Sequence, residues 1–215
     1  MQEHMCDFCL EAAQAGRAQS RVADIDEHGM IFPTVGAFVP GYFLVAPRLH
    51  VTRTTELSED AFAAVWAMAT RFREYVRHAI PEADVLLYEH GVMPTSETKS
   101  MLSISEISTP CVAHAHIHAI MLAKREVDLV NGELVRRLGE PSVQVARPLP
   151  AGDYAMAKSD GSDFLLFPKL PLRQLIRRVV ADVVAEPRWN WREYPFNERI
   201  MPMVGFYQRL KSFQR

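Results

Sequence analysis

His114-Ala-His116-Ile-His118-Ala-Ile120 is the stretch on which the reading of this chain turns. Side chains of a β-strand alternate between faces, so histidines at i, i+2 and i+4 share one face. Ala115, Ile117 and Ala119 then point the other way, into apolar packing. Three imidazoles in a row make poor core filler, because each needs a polar partner when buried. Two chemistries fit. His-x-His-x-His can give three nitrogen ligands to a catalytic metal with a fourth position open for water. Alternatively, the middle imidazole is a nucleophile that attacks phosphorus and carries the phosphoryl or nucleotidyl group covalently.

Around this stretch the pattern predicts an antiparallel sheet crossed by one long helix. The histidine strand is expected over 112–122, Tyr42–Pro47 reads as a buried strand ended by proline, and Asp84–Tyr88 as another. Arg21–Asp26 and Met30–Pro33 flank the turn Glu27-His28-Gly29. A helix is expected from Ser58, a capping residue, to Ile80, closed by Pro81. Arg71, Arg73 and Arg77 read as its solvated face. A short helix is expected from Cys6 to about Ala18. Val92–Pro110 is a long polar loop, functional or mobile.

Beyond the proline-rich join 147–152, a hairpin is expected from Tyr154–Ala157 and Phe164–Phe167 around Ser159-Asp160-Gly161. Helices are expected over Leu172–Val184 and about Glu198–Leu210. The fold class is therefore α+β, with a core over residues 1–125 and a C-terminal α/β extension over 126–215, packed on it.

The chain has 215 residues, 48% apolar and 23% charged, with a net charge of −2. This is an ordinary globular composition and demands neither nucleic acid nor an anionic membrane as partner. No apolar run approaches a membrane span, two of the three cysteines fall in the first ten residues, and no signal peptide is read there. We expect a cytoplasmic protein. Residues 126–215 carry 14 basic and 11 acidic side chains, so the extension is mildly positive and would suit a cover over an anion-binding face.

The histidine strand fits, position by position, the signature of the histidine triad (HIT) family, His-φ-His-φ-His-φ-φ with φ apolar. Pro40-Gly41-Tyr-Phe-Leu-Val-Ala-Pro47-Arg-Leu-His50 resembles the family's Gly-His-x-Leu-φ-φ-Pro-Lys-x-His strand, with Tyr42 in place of the usual histidine. Glu89-His90-Gly91 resembles the turn upstream of the triad. The resemblance spans about residues 5–123. It implies that His116 is the nucleophile, that His118 contacts the phosphate or leaving group, and that His114 fixes the geometry. His118, where the sugar-phosphate uridylyltransferase branch has glutamine, points to hydrolysis or a related transfer.

Cys6-Asp-Phe-Cys9 on its own fits a redox pair, half a zinc site or two buried cysteines. Many bacterial HIT proteins have a similar pair that joins two histidines in a structural Cys2His2 zinc site. The matching residues are Cys6, Cys9, His50 and His114.

The pattern departs from the family just before the triad, where a phosphate-binding glutamine and hydroxyl give way to Pro110 and Cys111. Proline offers no N–H and the thiol is a weak donor. Glu89, His90 and Cys111 are expected at the substrate site, although Glu89 is a carboxylate where a neutral asparagine would suit phosphate better. Phosphate recognition must therefore be rebuilt from the insertion 92–109, with Lys99 preferred and Thr95, Ser96, Thr98 and Ser100 as secondary donors. Arg177 and Arg178 either close over the substrate anion or face solvent; Trp189 and Trp191 read as packing residues. The resemblance implies a phosphohydrolase or nucleotidyl transferase acting on a phosphoramidate, adenylylated compound or dinucleoside polyphosphate. It also implies a homodimer. The alternative is a catalytically weak nucleotide-binding or regulatory protein.

Overall fold

The computed structural model describes residues 6–91, 114–144, 154–158, 160, 163–167 and 174–213. The elements run α1 (Asp7–Gln14), β1 (Asp24–Ile25), β2 (Gly29–Pro33), β3 (Tyr42–Pro47), α2 (Glu59–Ala79), β4 (Ala83–Gly91) and β5 (Ile117–Ala123). There follow α3 (Lys124–Leu138), β6 (Ser142–Gln144), β7 (Tyr154–Lys158), β8 (Phe164–Phe167), α4 (Leu175–Val183) and α5 (Ile200–Ser212). The eight strands form one antiparallel sheet in the order β1-β2-β3-β5-β4-β7-β8-β6. The class is α+β, as the sequence predicts.

Helix α2 forms where its residues require it. Ser58 accepts the Ala61 N–H, Glu59 and Asp60 sit in the first turn, and Arg77 and His78 in the last. Its buried stripe of Phe62, Val65, Trp66, Met68, Ala69, Phe72 and Val76 lies on one face of the sheet. There Phe72 meets Phe43, with ring centres 4.8 Å apart. Phe43 pairs with Ala119, whereas Leu44 pairs with His118. Directly opposed residues share a face, so His118 lies on the side of the sheet away from α2.

Helix α2 does not present all its arginines to solvent. Arg73 and Arg77 both grip the Asp84 carboxylate through paired bonds of 2.7–3.1 Å. The Arg73 side chain is only 12% exposed. The expected solvated stripe is a clamp between α2 and β4, because the carboxylate that neutralises it comes from the next element.

Two further departures matter. The strand expected over 112–122 begins only at Ile117, so His114 and His116 lie on the segment leading into it, anchored where Ala115 donates to the Val51 carbonyl. Helix α3 and strand β6 go beyond the sequence expectations. Val127, Val130, Leu134 and Leu138 form the buried stripe of α3, and Glu126 accepts the Ala123 N–H at its start.

Residues past 125 are woven into the sheet. Strand β7 pairs with β4 from Tyr88↔Ala157 to Gly91↔Tyr154, and β8 and β6 continue outward. On the α2 side, Tyr207 of α5 stacks on Phe72 at 5.8 Å, and Tyr207 and Lys211 both reach Asp24.

Candidate active site and metal cluster

Helix α1 brings Cys6 and Cys9 against His50 and His114. Cys6 Sγ lies 3.5 Å from His114 Nδ1, and Cys9 Sγ lies 3.3 Å from His50 Nδ1 and 3.7 Å from His114 Nδ1. All four ligand atoms fall within 4.8 Å of one another. Tetrahedral zinc, with bonds of about 2.3 Å to sulfur and about 2.0 Å to nitrogen, places sulfur and nitrogen roughly 3.5 Å apart. The donor set and its spacing fit a metal ion. His114 is buried, and its Nε2–H donates to the Pro47 carbonyl at 2.9 Å. That bond leaves the Nδ1 lone pair turned to the sulfurs, the usual outer-shell arrangement of a ligating histidine. Burial holds the His114 pKa down to about 4, so the ring is neutral, as a ligand must be.

The other two histidines belong to a different constellation. Among the described residues the metal-competent cluster contains neither His116 nor His118, which disfavours the three-histidine metal site. His116 donates Nδ1–H to the carbonyl of His114 at 2.8 Å, leaving Nε2 with a free lone pair. Burial lowers its pKa, so this nitrogen stays unprotonated. The Phe8 ring of α1 packs edge-on to His116, with centres 5.5 Å apart, and also touches Phe32 and His114. His118 lies beside His116, with ring centres 4.9 Å apart. Its Nδ1 is 2.8 Å from the Tyr42 hydroxyl. Burial first, then the neighbouring His116, Arg177 and His90, holds its pKa well below that of free imidazole.

His90 shares the face of Tyr88, which opposes His118 across β4 and β5. Glu89 alternates to the α2 side. It is fully buried and accepts the Thr54 N–H at 2.7 Å and the Thr54 hydroxyl. Burial pushes its pKa up to about 7 against the pull of those bonds. The Tyr154 hydroxyl faces this carboxylate without a well-aligned hydrogen bond. Arg177 is buried against Tyr42 and Phe38, whereas Arg178 is exposed and lies over Trp189 at 4.7 Å. Lys99, Ser100, Cys111, Thr95, Ser96, Thr98 and Pro110 lie outside the described residues.

Three partners escape the sequence reading: Phe8 against His116, Pro47 behind His114 and Thr54 beneath Glu89. Only Tyr42 carries a signal, as the phenol standing where the family has an imidazole.

One histidine is oriented by a carbonyl and its neighbour is paired with a phenol, beside a two-cysteine, two-histidine cluster. The profile of the HIT domain matches residues 16–125, just over half of the sequence. The chain belongs to the HIT family. Among curated proteins none matches it. Similar solved structures include a zinc-bound histidine triad family protein from Mycobacterium smegmatis, 21% identical, TM-score 0.40, covering 55% of this chain and 76% of its own. Another is a hypothetical histidine triad nucleotide-binding protein from Sulfolobus tokodaii, 13% identical, TM-score 0.39, covering 84% of this chain and 91% of its own. Among the described residues no helix is long and apolar enough to cross a membrane.

Proposed function

We propose that the chain is a nucleotide phosphohydrolase or nucleotidyl transferase that works through a nucleotidyl-His116 intermediate. The observation that carries the reading is the bond from His116 Nδ1–H to the His114 carbonyl, which presents Nε2 as the nucleophilic nitrogen. In the first step the Nε2–P bond forms and the bond from phosphorus to the leaving group breaks, the departing atom taking up a proton. In the second, water or an acceptor hydroxyl attacks phosphorus and gives up its proton, replacing the one the leaving atom took, the Nε2–P bond breaks, and neutral His116 is restored. His118 and His90, on the same face of the sheet, attend the phosphate and leaving group. Phosphoramidates, adenylylated compounds and dinucleoside polyphosphates are the substrate classes such a site serves. The Cys6, Cys9, His50 and His114 cluster holds zinc in a structural role and ties α1 to the catalytic segment.

Turnover of nucleoside 5′-phosphoramidates, adenylylated compounds and dinucleoside polyphosphates tests the proposal. His116→Ala should lower kcat by about 10³-fold or more, as loss of a covalent nucleophile does, with zinc content and fold unchanged. Undiminished turnover in that variant overturns the covalent mechanism. Tight binding without product by the wild-type protein selects a nucleotide-binding role instead.

A further inference from the structure

Arg177 lies outside the residues that match the HIT domain, yet it reaches the reaction centre. It is 4% exposed on α4. Its guanidinium carbon sits 5.1 Å from the Tyr42 ring centre and 5.2 Å from that of Phe38. Its Nε donates to the Trp189 carbonyl at 3.0 Å and Nη2 to the Gly36 carbonyl. Among the described residues it forms no ion pair. Guanidinium carries only donors and is always charged, so it is a buried cation with carbonyls and aromatic faces around it.

The extension holds the whole loop before β3 in the same way. Gly36 donates to the Pro195 carbonyl at 2.6 Å, and Arg199 donates to the carbonyls of Ala37 and Phe38 at 3.0 and 3.1 Å. Tyr42 follows this loop, fully buried, with its hydroxyl on His118 Nδ1.

The bond between Tyr42 and His118 can run in either direction. The phenol can donate to Nδ1, which puts the imidazole proton on Nε2, or Nδ1–H can donate to the phenol. A buried cation beside Tyr42 decides between them. The phenol's lone pairs are stabilised facing Arg177 and its proton facing away, toward His118. Tyr42 keeps that proton, because burial pushes its pKa up to about 12, and His118 is neutral for the same reason.

We propose that Arg177 is a positioning residue: it orients the Tyr42 hydroxyl so that His118 is held as the Nε2–H tautomer. In that form His118 keeps a proton donor on the nitrogen opposite Tyr42, available to the phosphate or the leaving atom. The catalytic consequence rests on the reading that His116 and His118 form the reaction centre; the tautomer itself does not.

Long-range 1H–15N correlation on the 15N-histidine-labelled, zinc-loaded protein at neutral pH reads the tautomer directly. The wild type should show His118 as Nε2–H. Arg177→Met should give a mixture with Nδ1–H and lower kcat on a nucleoside 5′-phosphoramidate by about 10-fold or more, within the range of proton-transfer catalysis, with KM within about twofold. Arg177→Lys, which keeps the buried cation, should restore the Nε2–H form. An Nδ1–H tautomer in the wild type overturns the inference, as does an Arg177→Met protein with unchanged tautomer and kcat. If the methionine variant does not fold, the lysine variant decides: retention of Nε2–H supports the role of the charge, and its loss overturns it. The two proposals fail separately. Full turnover by His116→Ala with the expected tautomers removes the covalent mechanism alone.

Discussion

Thr54 gives both its backbone N–H and its hydroxyl to Glu89, and that hydroxyl also accepts from Trp66 Nε1 at 3.3 Å. The carboxylate is a buried junction between the end of β4, the short 3-10 turn at Thr54 that precedes α2, and the first residue of β7. Its pKa of about 7 lies above the ordinary 4.5. The native state therefore binds a proton more tightly than the unfolded chain. The stabilisation is fully present below about pH 4.5 and is lost as pH rises through about 7, up to roughly 3 kcal/mol. Glu89→Gln should abolish this dependence. Urea unfolding of wild type and variant at pH 5, 6 and 7.5 should show their stability difference changing with pH; parallel curves would exclude an ionising Glu89.

The cysteine–histidine cluster predicts one zinc per chain. Replacing Cys6 or Cys9 by serine should cut the bound metal severalfold in elemental analysis. The same loss should lower Tm, because α1 docks through Phe8 and little else on that helix is buried. Chelation of the wild-type protein should reproduce the effect. Because Phe8 packs on His116, metal-depleted protein should also lose turnover. Chelated protein that keeps its Tm and has no zinc to lose would remove the structural role.

Asp84 is held by two arginines, and burial is outweighed by those bonds, so its carboxyl stays far below the usual carboxylate range. Asp84→Ala leaves Arg73 with its exposed partner Asp160 alone. The cost should be about 2–3 kcal/mol, less than for a wholly buried pair because Arg77 is partly exposed. Urea unfolding at pH 7 measures it, and a change under 0.5 kcal/mol would mark the clamp as a surface ion pair.

Gly36 adopts φ +71°, and a Cβ there would lie 2.4 Å from Trp191 Cβ and 2.6 Å from its Cα. Backbone cannot yield as a flexible side chain can. Gly36→Ala should destabilise the protein by about 2 kcal/mol or more. It should also shift Trp191 fluorescence as the extension parts from the loop before β3. An unchanged emission spectrum and Tm would show that this contact is dispensable.

How far the sequence disclosed this molecule depended on whether the decisive partner was near in the chain. Helix α2 is read to within a residue because Ser58 and Pro81 mark its ends locally, and β3 because its apolar run stops at Pro47. The four-residue metal cluster is legible only through the family resemblance, because the Cys6–Cys9 spacing by itself names neither His50 nor His114. Alternation alone runs the histidine strand too far, because the segment from His114 leaves the ladder to meet Cys6 and the Val51 carbonyl. Helix α3 hides behind an alanine at its N-cap and Gly132 in its middle. The roles of Arg73, Arg77 and Arg177 were closed to inspection: an arginine's surroundings depend on which carboxylates and rings the fold brings to it. Glu89 faces α2 rather than the histidines because a strand shows its neighbours to opposite sides.

Strand β7 lies alongside β4, yet the two are separated by more than sixty residues of chain. As the polypeptide leaves the ribosome, β4 is complete while its neighbour is still unsynthesised, and the backbone of Tyr88 to Gly91 waits as a bare ladder edge. Such an edge can pair with any strand that passes, including that of another nascent copy. A chain ended at Arg125 would keep the triad, the metal cluster and the whole HIT match, but it would hold this transient open edge permanently. Its propensity would be to self-associate rather than to act as a smaller enzyme.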